Sequence, residues 1–260
     1  MTQGIDVSMF QGDIDFNKVK AAEYTFVIIR INNWNNAKNC NELDPYFVKN
    51  YNGAKAAGLN VGAYWFSFAN TIDYLKNTEL PMCKSALKGK SFEYPVYLDM
   101  EREKQFNQGK EFCDNMVKTF CDEIEKFNGF AGVYCSRYWY TAKVSQDVRE
   151  RYACWMADWG TQCKYTGSYG IWQNGTATVN GVKGEVDHDY AYVDYPSIIK
   201  KAGRNDWTDK QTQTDWKTLY DNLFGENVKN LEKIKELESK NKAMKQAIEY
   251  ADSALKGVLG

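Results

Sequence analysis

The chain has 260 residues and a formal net charge of -1, which leaves no global field to draw it to nucleic acid or an anionic membrane surface. Its 43% hydrophobic and 26% charged residues suit an ordinary globular fold, and no run of about 18 apolar residues is present to cross a membrane as a helix. Seven cysteines without a C-x-x-C pair read as reduced thiols, and the single His188 argues against a Cys/His zinc site; no G-x-S-x-G elbow occurs.

The N-terminal "MTQGIDVSMFQ" lacks a charged-then-apolar signal pattern, so the expectation is synthesis in the cytoplasm without a signal peptide. Short apolar runs then recur at 4–10, 24–31, 60–68, 94–101 and 130–136 and read as strands. Between them, 45–58, 71–88 and 107–128 have helical length and patterning, with Gly58, Gly89 and Gly129 placed as C-caps. Further strands are expected at 152–160, 168–175 and 184–192, with gaps too short for packing helices and hairpin chemistry in "NGTATVNG". Five strand–helix units followed by three bare strands predict an α/β fold, a modified TIM-like (β/α)5β3 barrel over residues 1–203. A polar linker is expected over 204–222 and a helical, coiled-coil segment over 223–260.

In such barrels chemistry sits at the C-terminal strand ends. The stretch "YPVYLDMER" places Tyr97, Asp99 and Glu101 on one face of a strand, with Val96, Leu98 and Met100 on the other. Two adjacent carboxyl groups cannot both ionise cheaply, so one is expected to keep its proton, as general-acid cleavage of a glycosidic bond requires. Other strand ends add Asp6 with Met9, Phe10 and Gln11, then Arg30 to Trp34, Tyr64 to Ser67, Tyr134, Asp158, Trp159, Trp172 to Asn174, Asp187 and Asp189, a rim of acids and aromatics suited to a carbohydrate. His188 alternates away from Asp187 and Asp189 and reads as packed or surface.

Seven segments in order resemble glycoside hydrolase family 25, the muramidases of phages and bacteria. "GIDVSMFQGDIDF" is similar to that family's opening G-x-D-x-S-x-x-Q-G-x-I-D-F, "VGAYWFS" to its third strand, and "YLDMER" to its D-x-E signature. "FAGVYCS", "CWMADWG", "YGIWQNG" and "EVDHDY" resemble the later motifs. The resemblance implies a lysozyme that cleaves the β-1,4 bond between N-acetylmuramic acid and N-acetylglucosamine without metal or cofactor. It assigns Glu101 as general acid, Asp99 as its partner, and Asp6 and Asp187 as further acids of the site. Tyr64, Trp65, Tyr134, Asp158, Trp159, Trp172, Gln173 and Asp189 become the expected substrate-binding set. The chain departs from the family at Trp65, often histidine there, at "NNWNN" after the second strand, and at Asp189, usually asparagine.

From Ile234 a 3-4 spacing runs through Leu237, Asn241, Met244, Ile248, Ala251, Leu255 and Val258, an a/d seam with Asn241 at an a position. Residues 234–258 are therefore expected to join copies of the chain or dock it on a phage particle. The expected partner of the barrel is the peptidoglycan glycan strand, with the protein acting at the bacterial wall as a phage lysin. The alternatives are a non-catalytic glycan-binding barrel, against which the intact set of acids argues, and a virion assembly protein whose coiled coil is the main function.

Overall fold

The computed structural model describes residues 1–208 together with Lys233, Leu237, Lys240, Asn241, Met244 and Lys245. The strands are β1 (Thr2–Val7), β2 (Phe26–Arg30), β3 (Asn32–Asn35), β4 (Cys40–Leu43), β5 (Asn60–Phe66), β6 (Val96–Asp99), β7 (Ala131–Ser136), β8 (Ala153–Ala157), β9 (Ile171–Thr178) and β10 (Glu185–Ala191). Eight of them close a barrel in the order β1-β10-β9-β8-β7-β6-β5-β2. Neighbours are parallel from β1 through β2, β5, β6, β7 and β8 to β9, and β10 closes the ring antiparallel to both β9 and β1.

Helices follow the first five barrel strands: α1 (Phe16–Ala21), α2 (Phe47–Ala56), α3 (Ile72–Tyr74), α4 (Leu80–Leu87), α5 (Glu103–Phe106), α6 (Lys110–Lys126), α7 (Arg137–Lys143) and α8 (Gln146–Arg151). No described helix intervenes between β8, β9 and β10, and α9 (Tyr195–Ala202) follows the last strand. The reason is visible in the residues. β2 is "FVIIR", buried on both faces as a strand between a barrel interior and a helix must be. α6 buries Cys113, Met116, Val117, Phe120, Cys121 and Ile124, one stripe at helical spacing.

Several expected boundaries change. The segment expected as one helix over 71–88 is broken by a π-helical turn, Leu75–Glu79, which accompanies a fully buried Glu79. The segment 107–128 is interrupted at Gly109, which takes φ +97 at the N-cap of α6. Gly129 is not the left-handed cap of α6: Asn128 holds that conformation at φ 65, and Gly129 donates its N–H to Ile124 O at 2.7 Å. Its own requirement is proximity, because a Cβ there would stand 2.4 Å from Ile124.

A two-stranded sheet of β3 and β4 was not expected. The start of the presumed linker is also part of the barrel. Asn205 is fully buried, donates to Tyr94 O at 2.8 Å and accepts from Phe130 N at 2.6 Å, and Asp206 pairs with Ser91. These residues satisfy backbone groups around β6 and β7, so the polar composition that suggested a linker at 204 is that of a plug. The expected coiled coil lies outside the described residues except for the six named above, all of them exposed.

Candidate active site

Strand alternation aims one set of side chains into the barrel mouth. β1 sends in Asp6, β5 Tyr64 and Phe66, β6 Asp99, β7 Tyr134, β8 Trp155, β9 Gln173 and β10 Asp187. With Glu101, just past the end of β6, and Arg30, at the end of β2, they line a cavity of about 310 Å³. That volume sits at the lower end of the usual range for ligand pockets. Phe10 and Trp159 are 73% and 64% exposed and offer ring faces at its border.

One network sets the floor. Gln173 donates to Asp6 Oδ2 at 2.8 Å, while its Oε1 accepts from Tyr134 Oη at 2.9 Å and from Trp159 Nε1 at 3.0 Å. Below it Trp155 Nε1 donates to Asp189 Oδ1 at 2.7 Å. Asp6 faces Asp187 across the β1–β10 pairing, and Asp189 faces Gly4. Phe26 fills the side of Gly4 where a Cβ would stand, at 2.4 Å.

Burial governs the charge states. Loss of hydration pushes the Asp6 carboxyl well up, Asp189 and Asp187 push further, and the Gln173 donor pulls back. Asp99 is also held well above its ordinary range by burial and then by Glu101, with Arg30 opposing. Glu101 is raised by loss of hydration, held back by Tyr134 and Arg30, and pushed up by Asp187. Burial raises Asp187, and it raises Asp189 strongly. Asp99 Oδ1 is buried without a hydrogen-bond donor among the described residues, which independently favours a neutral carboxyl, and the carboxyls of Asp189 and Asp6 share a hydrogen bond that needs a proton between them. The expected single raised acid is thus a set of raised acids.

The structure brings together Asp6, Tyr64, Asp99, Glu101, Tyr134, Trp159, Gln173 and Asp187 around the cavity. It does not bring four other expected residues to the cavity wall. Trp65 alternates outward from Tyr64, is 1% exposed, and borders a separate pocket with Phe47 and Met82. Trp172 alternates outward from Gln173, pairs with Tyr190, and donates to Asp158 O at 2.8 Å. Asp158 is engaged by Arg137 Nε at 3.0 Å and Lys164 N at 2.6 Å, and so secures its own loop. Asp189 is fully buried beneath the floor. His188 packs on the other face, its Nδ1 2.7 Å from Asn174 Oδ1.

Arg30, Phe66 and Phe10, named at the strand-end rim but not in the expected binding set, also line the cavity, and Trp155 joins them unexpected. Arg30 ends β2 after four buried apolar residues, and that charge at the chemistry end of a strand was the available signal. The whole arrangement offers a raised acid, Glu101, at the open edge and a group of carboxyls over the floor. That is what protonating a leaving oxygen and stabilising an oxocarbenium-like transition state need.

Comparison with known proteins agrees with this geometry. Residues 5–181 match the family described as "Glycosyl hydrolases family 25". The autolytic lysozyme of Clostridium acetobutylicum is 26% identical over 189 residues, covering 72% of this chain and 55% of that protein. Lysozyme M1 of Streptomyces globisporus is 25% identical over 205 residues, covering 72% of this chain and 66% of its own length. The chain thus spans little more than half of one curated relative and about two thirds of the other. Among solved structures, the bacterial lysozyme from Streptomyces coelicolor has a TM-score of 0.59 at 23% identity, covering 74% of this chain and 92% of its own. The CTP1L endolysin has a TM-score of 0.65 at 23% identity, covering 78% and 70% respectively. These two share the fold.

Proposed function

The chain belongs to glycosyl hydrolases family 25, and from that premise we propose that it is a muramidase of peptidoglycan. Its reaction would be cleavage of the β-1,4 bond between N-acetylmuramic acid and N-acetylglucosamine. The observation that carries the reading is the placement of Asp99 and Glu101 at the end of one strand, opening on the same cavity as Asp6 and Asp187. Glu101, at the exposed edge, is the proton donor to the leaving oxygen. Asp99 stands beside it, and Asp6 and Asp187 present carboxyl oxygens to the developing positive charge of the sugar from the opposite strands. Tyr64, Tyr134, Trp159 and Gln173 hold the glycan. Trp155 and Asp189 support that floor, and Trp65, Trp172 and Asp158 keep the strands and loops in place.

The test is digestion of purified peptidoglycan with mass spectrometry of the fragments. Muramic acid at the new reducing ends is expected. Glucosamine at those ends, or binding without cleavage, would overturn the reading.

We further propose that the protein serves as a phage lysin and that residues 234–258 assemble or dock it. The exposure of Leu237 and Met244, at 55% and 61%, fits a seam awaiting a partner helix. Added from outside, the protein should clear susceptible cells. Light scattering over a concentration series should show self-association that a chain ending at residue 213 lacks; equal masses for the two would remove the self-assembly role.

A further inference from the structure

We propose that the β3–β4 hairpin, the turn after β5 and Arg102 form a subsite beside the cavity that selects a sugar residue bearing a carboxylate. The proposal rests on the muramidase reading and names a substrate feature that the site recognises. Three part-exposed rings make a continuous shelf: Trp34 and Phe68 have centroids 5.0 Å apart, and Phe66 and Phe68 4.8 Å. Phe66 itself lines the cavity, so the shelf continues the cleft. Two guanidinium groups flank it. Arg30 lies 4.6 Å from the Phe66 centroid and Arg102 lies 5.5 Å from that of Phe68.

Both cations have unspent donors. Arg30 uses Nε on Asn32 O at 2.7 Å, and Arg102 uses Nη1 on Phe68 O at 2.6 Å. Among the described ion pairs, neither arginine has a carboxylate within 4.0 Å. A guanidinium oriented by a backbone carbonyl and an aromatic face, with its remaining N–H groups free, is set to take a carboxylate through paired hydrogen bonds. The neighbouring rings provide the face on which a sugar ring stacks. Among the described residues Arg30 is the only cation lining the cavity, and Arg102 extends that positive charge along the same rings.

The shelf is fixed before any ligand arrives. Asn32 Nδ2 donates to Asn41 Oδ1 at 2.8 Å and to Phe66 O at 2.9 Å, and Asn32 Oδ1 accepts from Phe66 N at 3.0 Å. The buried Glu79 accepts from Asn41 Nδ2 at 3.1 Å, Ser67 Oγ at 2.7 Å and Phe68 N at 2.8 Å. Gln105 Nε2 donates to Ser67 O at 3.1 Å and Ala69 O at 2.9 Å. The hairpin and the turn are thereby held to one geometry, which lowers the ordering cost of binding.

The carboxylate could belong to the lactyl ether of muramic acid or to an attached peptide, and the experiment separates these sources. Calorimetry on the Glu101→Gln protein would compare three tetrasaccharides of alternating glucosamine and muramic acid: lactyl free acid, lactyl methyl ester, and peptide-bearing. At least one carboxylate form should bind about 10-fold tighter than the ester, and which one does identifies the source. Arg102→Gln should abolish the preference, Arg102→Lys should keep part of it, and Trp34→Ala should weaken all three ligands. Equal affinity for all three, or an intact preference in a folded Arg102→Gln protein, would overturn the subsite. Digestion of peptidoglycan by the unaltered protein is scored separately: cleavage without the preference removes the subsite alone, and the preference without cleavage removes the muramidase reading alone.

Discussion

Glu101 and Asp99 are two residues apart and live in different surroundings. Asp99 is 4% exposed within β6, whereas Glu101 follows the strand and opens on the cavity. Replacing Glu101 by Gln keeps the shape and deletes the proton, so turnover of peptidoglycan should fall by about 10²–10⁴-fold with glycan binding retained; near-normal turnover in the folded variant would remove the assignment. Burial raises Glu101, and Asp187 is the carboxylate that adds to that raising. A general acid loses activity as pH rises through its pKa, so Glu101 sets the high-pH limb. Asp187→Asn should move that limb to lower pH; a pH–rate profile whose alkaline limb is unmoved in the folded variant would refute this coupling. The pair itself was legible from alternation. The same rule, applied to "YWF" and "WQN", would have excluded Trp65 beside Tyr64 and Trp172 beside Gln173, since neighbours in a strand cannot share a face. The burial of Asp189 and the engagement of Asp158 by Arg137 depend on partners far along the chain, and no local pattern carries them.

The strand β5 illustrates how one element serves two layers. Tyr64 and Phe66 face the cavity, while Trp65 is clamped on the outer side near Phe47 and Met82. Trp65→Ala should therefore cost about 3–5 kcal/mol of stability, measured by denaturant unfolding, and leave glycan affinity per folded molecule unchanged. A lost affinity with stability intact would return Trp65 to the glycan site. Elements whose period agreed with their environment were readable, β2 and α6 above all. The β3–β4 hairpin was not, because "NNWNN" has little strand propensity of its own. Its pairing is secured by Asn32 on the backbone of Phe66 and by Asn41 on Glu79, contacts across 34 and 38 residues. The π-helical turn before α4 was equally hidden, since apolar spacing does not report one extra residue in a turn.

At the scale of the molecule, the alternation of strands and helices revealed a barrel, and the missing helices after β8 revealed where its jacket stops. The hairpin chemistry of "NGTATVNG" already implied that β10 runs antiparallel to β9, but its pairing with β1 was not legible, because a hairpin-length gap does not fix which second neighbour the strand joins at closure. Closure is also what collects the acids: β1 and β10 meet only when the ring shuts, and that meeting sets Asp6 against Asp187 and Asp189. Acids gathered in this way should leave a mark on stability. Asp6, Asp99 and Asp189 all have folded pKa values well above their unfolded ones, chiefly through burial. For a carboxyl the folded state then binds the proton more tightly, so its contribution is complete below the ordinary carboxylate range and is lost as pH rises toward the folded value. Glu123 acts in the opposite sense, since Lys126 and Lys84 hold it down to about 2 and its contribution is lost only as pH falls toward that value. Thermal unfolding across pH should accordingly show greatest stability in mild acid and a decline toward neutral and alkaline pH. Asp6→Asn should flatten that decline by removing one strongly raised carboxyl while keeping an acceptor for Gln173 Nε2. A decline as steep in the variant as in the parent would mean that Asp6 ionises in the folded barrel without penalty.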